Sequence, residues 1–448
     1  MKKYIRALLF LIKGNSFKNE YQHINQIKNE KDLLEFQNEH LTKIILHAYY
    51  NVPYYHRIFD SIGLVTNDIV RLEKFNKIPI LTKDNLRTHY NDLLSKDYLK
   101  RKWYQNSSGG STGEPTRFIQ DKNYMKWYMA SNDYYYQKIL DVDEKNVKKI
   151  YLWGSPRDLF KGNIGIKNNF TNWLTNTVIL NSFTMNENKI KSYTGTINLY
   201  KPVIIRGYAD SLYTIASFCN KNKIKIHSPT RIISSAETLT PDMRKTIEST
   251  FETKVYDFYG SRETASIAGE CKEGNIHIFS YNNYIEILDQ NGNPSLENQD
   301  GRIIITNLHN YSMPLIRYEI GDTATNGPKK CKCGHFLPCL KKISGRLEEQ
   351  FIKKDGSIVI GYFFVHLIGV LQNKGYIKKF QVIQEDYNRI RIRMILEKGL
   401  PNIEKQEIEK KIQFQMGSDC QIIWENVDMF QDTASGKFFY TKSYVKRN

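Results

Sequence analysis

Ser107-Ser108-Gly109-Gly110-Ser111-Thr112-Gly113-Glu114-Pro115 gathers three glycines and four hydroxyls in one turn-prone stretch. Glycines let a backbone turn its amides inward, and hydroxyls add donors, a combination suited to wrapping a phosphate chain. No Gly-Lys-Ser/Thr ends the stretch, so it is not a Walker loop. Tyr259-Gly260-Ser261-Arg262-Glu263 pairs a ring able to stack on a purine with a carboxylate able to hold magnesium between phosphates. Arg317-Tyr318-Glu319-Ile320-Gly321-Asp322 sets a carboxylate beside a glycine, which suits hydrogen bonds to paired ribose hydroxyls. Ser344-Gly345-Arg346 offers a guanidinium fork for phosphate or ribose. Each segment alone specifies little, since single short motifs also occur as ordinary loops and surface ion pairs.

A second constellation is rich in sulfur. Cys331-Lys332-Cys333-Gly334-His335 sits on a tight turn, with Cys339 after it and Cys271 and His277 upstream. These are nitrogen and sulfur ligands of the kind zinc takes. Buried inert thiols are equally compatible with a lone C-x-C.

The elements that must position these groups read as an α/β body. Residues 20 to 60 read as helical, and Ile78-Pro79-Ile80-Leu81-Thr82-Lys83-Asp84 reads as a loop in which Thr82 caps a following helix. Strand-like runs at Val147–Trp153, Val203–Arg206, Arg231–Ser234 and Lys254–Phe258 alternate with helical stretches at Asp210–Asn222 and Pro241–Phe251. Such alternation implies parallel strands joined by crossover helices. Between Asn283 and Asn307 the pattern becomes an antiparallel meander around Gln290-Asn291-Gly292-Asn293. Beyond Gly345-Arg346 a strand, a helix near Phe363–Asn373, alternating runs at Lys379–Ile383 and Arg389–Leu396 and a charged helix at Asn402–Gln415 suffice for a small α+β domain. The expected division is 1–345 and 346–448.

Composition narrows the class. With 448 residues, 40% hydrophobic and 13% aromatic, the chain has material for a large buried core. Its 65 Lys and Arg against 47 Asp and Glu give +18, spread along a sequence rich in Lys, Asn, Ile and Tyr. Sequence signatures of nucleic-acid modules are absent, so the charge reads as a surface habit. Six cysteines in 448 residues make no disulfide framework, and no run approaches the roughly 18 to 20 apolar residues that span a bilayer. A cytoplasmic protein is expected. Met1–Lys13 is basic with a short apolar core, which suits a helix packed on the body or resting peripherally on a membrane.

Taken together and in order, the segments resemble the acyl-adenylate-forming superfamily. They are most similar to phenylacetate-CoA ligase and its relatives in capsule and polysaccharide gene clusters. Nearly the whole chain carries the likeness: Tyr49-Tyr50-Asn51-Val52-Pro53-Tyr54-Tyr55, Ile78–Lys83, the Ser/Gly loop, Ser234-Ser235-Ala236-Glu237, Asp257-Phe258-Tyr259-Gly260-Ser261-Arg262-Glu263, and Ser435-Gly436-Lys437-Phe438. The resemblance implies a large N-terminal adenylate-forming domain, with α/β layers and a small β-meander or barrel, and a mobile α+β lid. It implies ATP and magnesium, with CoA as acyl acceptor; a homodimer is a further expectation.

The roles follow residue by residue. Ser107 to Gly113 would contact the ATP phosphates. Ser235, Ala236, Glu237 and Tyr259 would border adenine within a cofactor site that includes Asp257, Gly260, Ser261 and Arg262. Glu263 would bind magnesium, Asp322 the ribose hydroxyls, with Arg346 nearby. Glu348 would be the hinge, and Lys437 the adenylation lysine. Arg262 replaces the hydroxyl usual in the wider superfamily, so it is expected to reach a substrate carboxylate instead. Similar cysteines in relatives imply a structural zinc held by Cys271, His277, Cys331 and Cys333, with Cys339 as substitute. The implied reaction joins a carboxylic acid to AMP and passes the acyl group to CoA. Alternatives are transfer to an amine or hydroxyl of a sugar, and a silent nucleotide-binding scaffold.

Overall fold

The computed structural model describes residues 16–107, 116–153, 172–182, 185, 187–346, 350–355, 358–361, 363–364, 367–368, 376–430 and 439–445. The chain divides into two compact units, Met1–Ile320 with Ala324–Ile343, and Ser344–Asn448 with Gly321–Thr323. The second begins at Ser344, two residues before the boundary read from Gly345-Arg346.

The N-terminal segment is helical where expected. Lys18–Gln26 (α1), Glu30–Asn51 (α2) and Pro53–Ile62 (α3) follow one another. Asn29 caps α2 by accepting from the Asp32 N–H at 3.0 Å, and a proline opens α3 where its missing N–H is harmless. Thr82 forms a capping box with Asn85 at the start of Lys83–Thr88 (α4), as its residue type predicts. The basic stretch 1–13 lies outside the described residues.

A hairpin of Trp103–Ser107 (β1) and Arg117–Asp121 (β2) frames the Ser/Gly loop, pairing Ser107 with Arg117. Asp121 then caps Lys122–Tyr134 (α5), which runs into a single π-helical turn at Tyr135–Ile139.

Five short apolar runs form the parallel part of one sheet: Lys149–Trp153 (β3), Thr177–Asn181 (β4), Ile204–Tyr208 (β5), Arg231–Ser235 (β6) and Val255–Ser261 (β7). Paired apolar residues such as Ile204-Ile205 and Ile232-Ile233 are wholly buried, the pattern of strands covered on both faces. Ala209–Lys221 (α6) follows β5 and Pro241–Phe251 (α7) follows β6, supplying the crossovers. The remaining strands are Ala265–Glu270 (β8), Ile276–Ile278 (β9), Asn283–Leu288 (β10), Asp300–Asn307 (β11), Tyr318–Asn326 (β12) and Cys339–Arg346 (β13). The eleven lie in the order β10-β11-β12-β13-β9-β8-β7-β6-β5-β3-β4. The meander of β10 and β11 therefore extends this same sheet, because its buried Ile303, Ile305 and Ile287 join the core of α2, α3 and Tyr318.

One face of the parallel strands packs against α5 and the π turn. Ile204, Ile233, Tyr256 and Phe258 share a cluster there with Tyr134, Tyr135 and Tyr136.

In the second unit, Gln350–Ile352 (β14) pairs with Ile358–Ile360 (β15). Ile377–Asp386 (β16), Arg389–Leu396 (β17), Gln421–Asn426 (β18) and Thr441–Ser443 (β19) make a sheet in the order β18-β17-β16-β19. Asn402–Met416 (α8) buries Ile408, Ile412 and Met416 against Val382, Ile390 and Ile392. Most of the expected 363–373 helix lies outside the described residues.

Candidate active site

The sheet changes direction twice, and both places matter. Strand β3 connects to β4 on one side, after which the chain crosses to β5 on the other, so the carboxyl ends of β3 and β5 flank a topological switch point. Open α/β sheets bind ligands at such switch points. At β7 the parallel half meets the antiparallel half through a tight hairpin into β8.

That hairpin is the Tyr259–Glu263 segment. Gly260 is obligatory because a Cβ there would lie 2.7 Å from the Ala265 carbonyl oxygen. Ser261 Oγ accepts from the Thr264 N–H at 3.0 Å, and Ala265 takes a left-handed φ of 58°. Ala236, in the turn after β6, is also left-handed at 69°, a conformation that costs an alanine free energy and concentrates at functional turns. Strands β6 and β7 pair in parallel with Ser235 opposite Phe258, so the Ala236-Glu237 turn leaves β6 next to Tyr259, which stays in β7 paired with Ala268. Glu237 accepts from the Asp210 N–H at 3.0 Å at the start of α6, where the helix end favours a negative charge.

Sequence reading missed Gln120. Buried on β2, it donates to the carbonyls of Arg262 and Glu263 at 2.8 and 3.1 Å. The β1–β2 hairpin is thereby tied to the Glu263 turn. Nothing in the residue type announces this, since a glutamine that reads backbone carbonyls looks like any other. Glu263 is buried at 7% exposure, and among the described residues no Lys or Arg forms an ion pair with it. Arg262 beside it is exposed.

Asp257 is half-buried on β7, and its N–H donates to Glu270 at 2.7 Å. Burial first, then the nearby Glu270 carboxylate, push its carboxyl up to about 7, with Arg244 opposing. Arg244 itself is committed to Glu270 at 2.7 Å. Asp322 stands half-buried on β12 after Gly321, whose φ is 88°. Arg346 ends β13; its side chain, together with Ser108 to Gly113, Glu348 and Lys437, lies outside the described residues.

The sulfur constellation converges. One ligand atom from each of Cys271, His277, Cys331 and Cys333 lies within 4.8 Å of the others. Cys271 Sγ is 3.7 Å from Cys331 Sγ, and His277 Nε2 is 3.1 Å from Cys333 Sγ. Thiolates at about 2.3 Å from a tetrahedral zinc stand roughly 3.8 Å apart, so the donors fit that ion. His277 Nδ1 lies 2.9 Å from the Leu337 carbonyl, which fixes Nε2 as the coordinating nitrogen. Burial lowers the proton affinity of His277, favouring the neutral imidazole a metal needs. Cys339 turns instead to the Pro328 carbonyl at 3.2 Å.

Residues 351–444 match the family described as the CapK C-terminal domain. The chain is 24% identical to Protein CapK of Staphylococcus aureus, over 98% of this chain and 97% of that one. The phenylacetate-coenzyme A ligase of Thermus thermophilus is 26% identical over 74% of each chain. The solved structure of 2-hydroxyisobutyryl-CoA ligase with 2-HIB-AMP, in its postadenylation state, superposes with a TM-score of 0.67 at 16% identity. It covers 92% of this chain and 89% of its own, and shares the adenylate-forming fold. No helix among the described residues is long and apolar enough to cross a membrane.

Proposed function

We propose that the protein activates a carboxylic acid with ATP and then transfers the acyl group to CoA. A carboxylate oxygen attacks the α-phosphorus, the bond to the β-phosphate bridge breaks, and pyrophosphate leaves. The CoA thiolate next attacks the acyl carbon and AMP departs. What carries this reading is the adjacency of the Ala236-Glu237 turn and the Tyr259–Glu263 hairpin through the β6–β7 pairing, with a buried Glu263 carboxylate that forms no ion pair among the described residues. Relatives named phenylacetate-coenzyme A ligase, and acyl-AMP complexes on the same fold, support it.

Tyr259 and the 235–237 turn would border adenine, Ser107 to Gly113 would donate to the phosphates, and Asp322 would accept from the ribose hydroxyls, with Arg346 beside it. Glu263 would hold magnesium, since a buried anion without a cationic neighbour demands a counter-charge. The ion supplies neutralisation of the phosphate oxygens. Lys437 would bridge the attacking carboxylate and the α-phosphate, two anions whose approach is unfavourable without a positioned cation. The Cys271-His277-Cys331-Cys333 set would hold zinc as a tie between the β8 end, β9 and the 331–333 turn, a structural role remote from the reacting atoms.

Two half-reactions test the assignment. Lys437→Ala should cut adenylation by at least about 100-fold while thioester formation from supplied acyl-AMP persists. Equal loss of both steps would assign Lys437 another role. Pyrophosphate release without CoA consumption, with an amide or ester forming on a sugar, would replace CoA as the acceptor.

A further inference from the structure

The turn that presents Glu263 is held by side-chain amides. Gln120 Nε2 donates to the carbonyls of Arg262 and Glu263 at 2.8 and 3.1 Å. Asn283 Nδ2 donates to the next carbonyl, that of Thr264, at 3.4 Å, and to that of Ser266 at 3.0 Å. Successive carbonyls of an extended strand point to opposite sides, so one donor that meets two in a row fixes a bend in the peptide between them. Each amide is oriented in turn by another: Gln120 Oε1 accepts from Asn106 Nδ2 at 3.2 Å, and Asn283 Oδ1 from Asn307 Nδ2 at 2.9 Å. Gln120, Asn283 and Asn307 are all buried. The strand end beside Gln120 is fixed as well, because Asp121 accepts from the N–H of Tyr124 at 2.9 Å and from those of Tyr311 and Ser312 at 3.1 Å.

The type of donor has an electrostatic consequence. A lysine or arginine could reach the same carbonyls, but it would set a cation beside the buried Glu263. An amide holds the turn and brings no charge. Among the described residues Glu263 forms no ion pair, so its carboxylate keeps a charge that a bound cation can offset. Groups that orient a metal ligand typically contribute roughly 10- to 100-fold to the affinity for the ion. Gln120 bonds the backbone of Glu263, so its influence on such an ion runs through the place of that carboxylate.

We propose that Gln120 is a positioning residue that sets the Glu263 carboxylate for a divalent cation. This rests on the reading of Glu263 as the magnesium ligand and names the group on which its affinity depends. The test titrates manganese(II) into the full chain with a non-hydrolysable ATP analogue present, counting free ion by electron paramagnetic resonance against the analogue alone. Gln120→Met keeps the length of the side chain and removes its donors, and should raise the Kd for the ion by about 10-fold. In the Glu263→Gln background the same change should have less than about a twofold effect, because the carboxylate it acts through is gone. The magnesium needed for half-maximal ATP–pyrophosphate exchange should move in parallel. Should Gln120→Met not fold, Asn106→Ala decides: it keeps the donors but releases the amide, and should raise the Kd about two- to fivefold only where Glu263 is present. An unchanged Kd in the folded variant, an equal rise in both backgrounds, or no ion bound by the wild type beyond the analogue alone would overturn the proposal. The expected affinities together with no exchange against any acid would leave Gln120 its role and defeat the activation reading instead.

Discussion

Two arginines of the first unit, Arg317 buried and Arg206 partly buried, show opposite solutions to the same problem. Arg317 lies near the antiparallel edge, with Nε and Nη2 each 3.0 Å from the two oxygens of Glu286 and Nη1 donating to the carbonyls of Asn76 and Ile78 at 2.5 and 2.6 Å. Its fork is filled, and its left-handed φ of 50° is held by that grip on the 76–78 turn. Among the described residues Arg206 donates to two neutral hydroxyls, each at 3.4 Å. Fully compensated charge ties segments together; under-compensated charge is left for something that arrives later. Glu263 and Asp257 share the second condition with opposite sign, and both lie where the parallel strands end.

Breaking the compensated site should cost most. Arg317→Met leaves Glu286 buried without its cation, and chemical denaturation should register a loss of roughly 3 to 5 kcal/mol. A loss as small as a surface substitution would erase the distinction between the two arginines. Cys331→Ser should come next. Metal analysis of the wild type should find one zinc per chain, and the variant should lose the ion and roughly 2 to 4 kcal/mol if the set is structural. A wild type that folds equally well after exhaustive chelation would contradict the tie.

Asp257 gives a pH-resolved version. Its folded pKa of about 7 lies above the ordinary carboxyl range, so the stability its protonated form contributes is complete below about pH 4 and lost as pH rises through 7. Asp257→Asn should thus stabilise the fold by roughly 1 to 3 kcal/mol at pH 8 and scarcely at pH 4. A pH-independent effect would show that burial and Glu270 do not govern the group. The smallest change is expected at Arg206: Arg206→Leu should move stability by about 1 kcal/mol or less, because an apolar side chain replaces a cation that forms no ion pair among the described residues. A loss matching that of Arg317→Met would make Arg206 a structural residue.

Much of this was legible in the sequence because it depends on local rules. Pro241 and Thr240 announce a helix start, Thr82 and Asn85 a capping box, and the runs before Tyr208 and Ser235 buried parallel strands. The Asp257–Glu263 and 234–237 segments stood out by residue type and proved to be neighbours through the β6–β7 pairing. Long-range acts were not legible. Gln120 holds a turn more than 140 positions away, and Trp127 stacks on His309 with centroids 3.8 Å apart; neither has a local signature. The continuity of the meander with the main sheet was hidden for a similar reason: β10 and β11 are adjacent in sequence, but their place beside β12 is set by core packing with α2 and α3. Arg206 closes the strand-like Val203–Arg206 run of the sequence, while its want of an ion pair among the described residues emerged only from the packed surroundings.

The most direct test of the central claim is ATP–pyrophosphate exchange across a broad panel of carboxylic acids, comparing the wild type with Glu263→Gln while magnesium is titrated. At least one acid should support magnesium-dependent exchange by the wild type, and Glu263→Gln should reduce it by about 100-fold or more while the melting temperature holds. A well-folded wild type that exchanges pyrophosphate with no acid, or a Glu263→Gln protein indistinguishable from it at every magnesium concentration, would contradict the account.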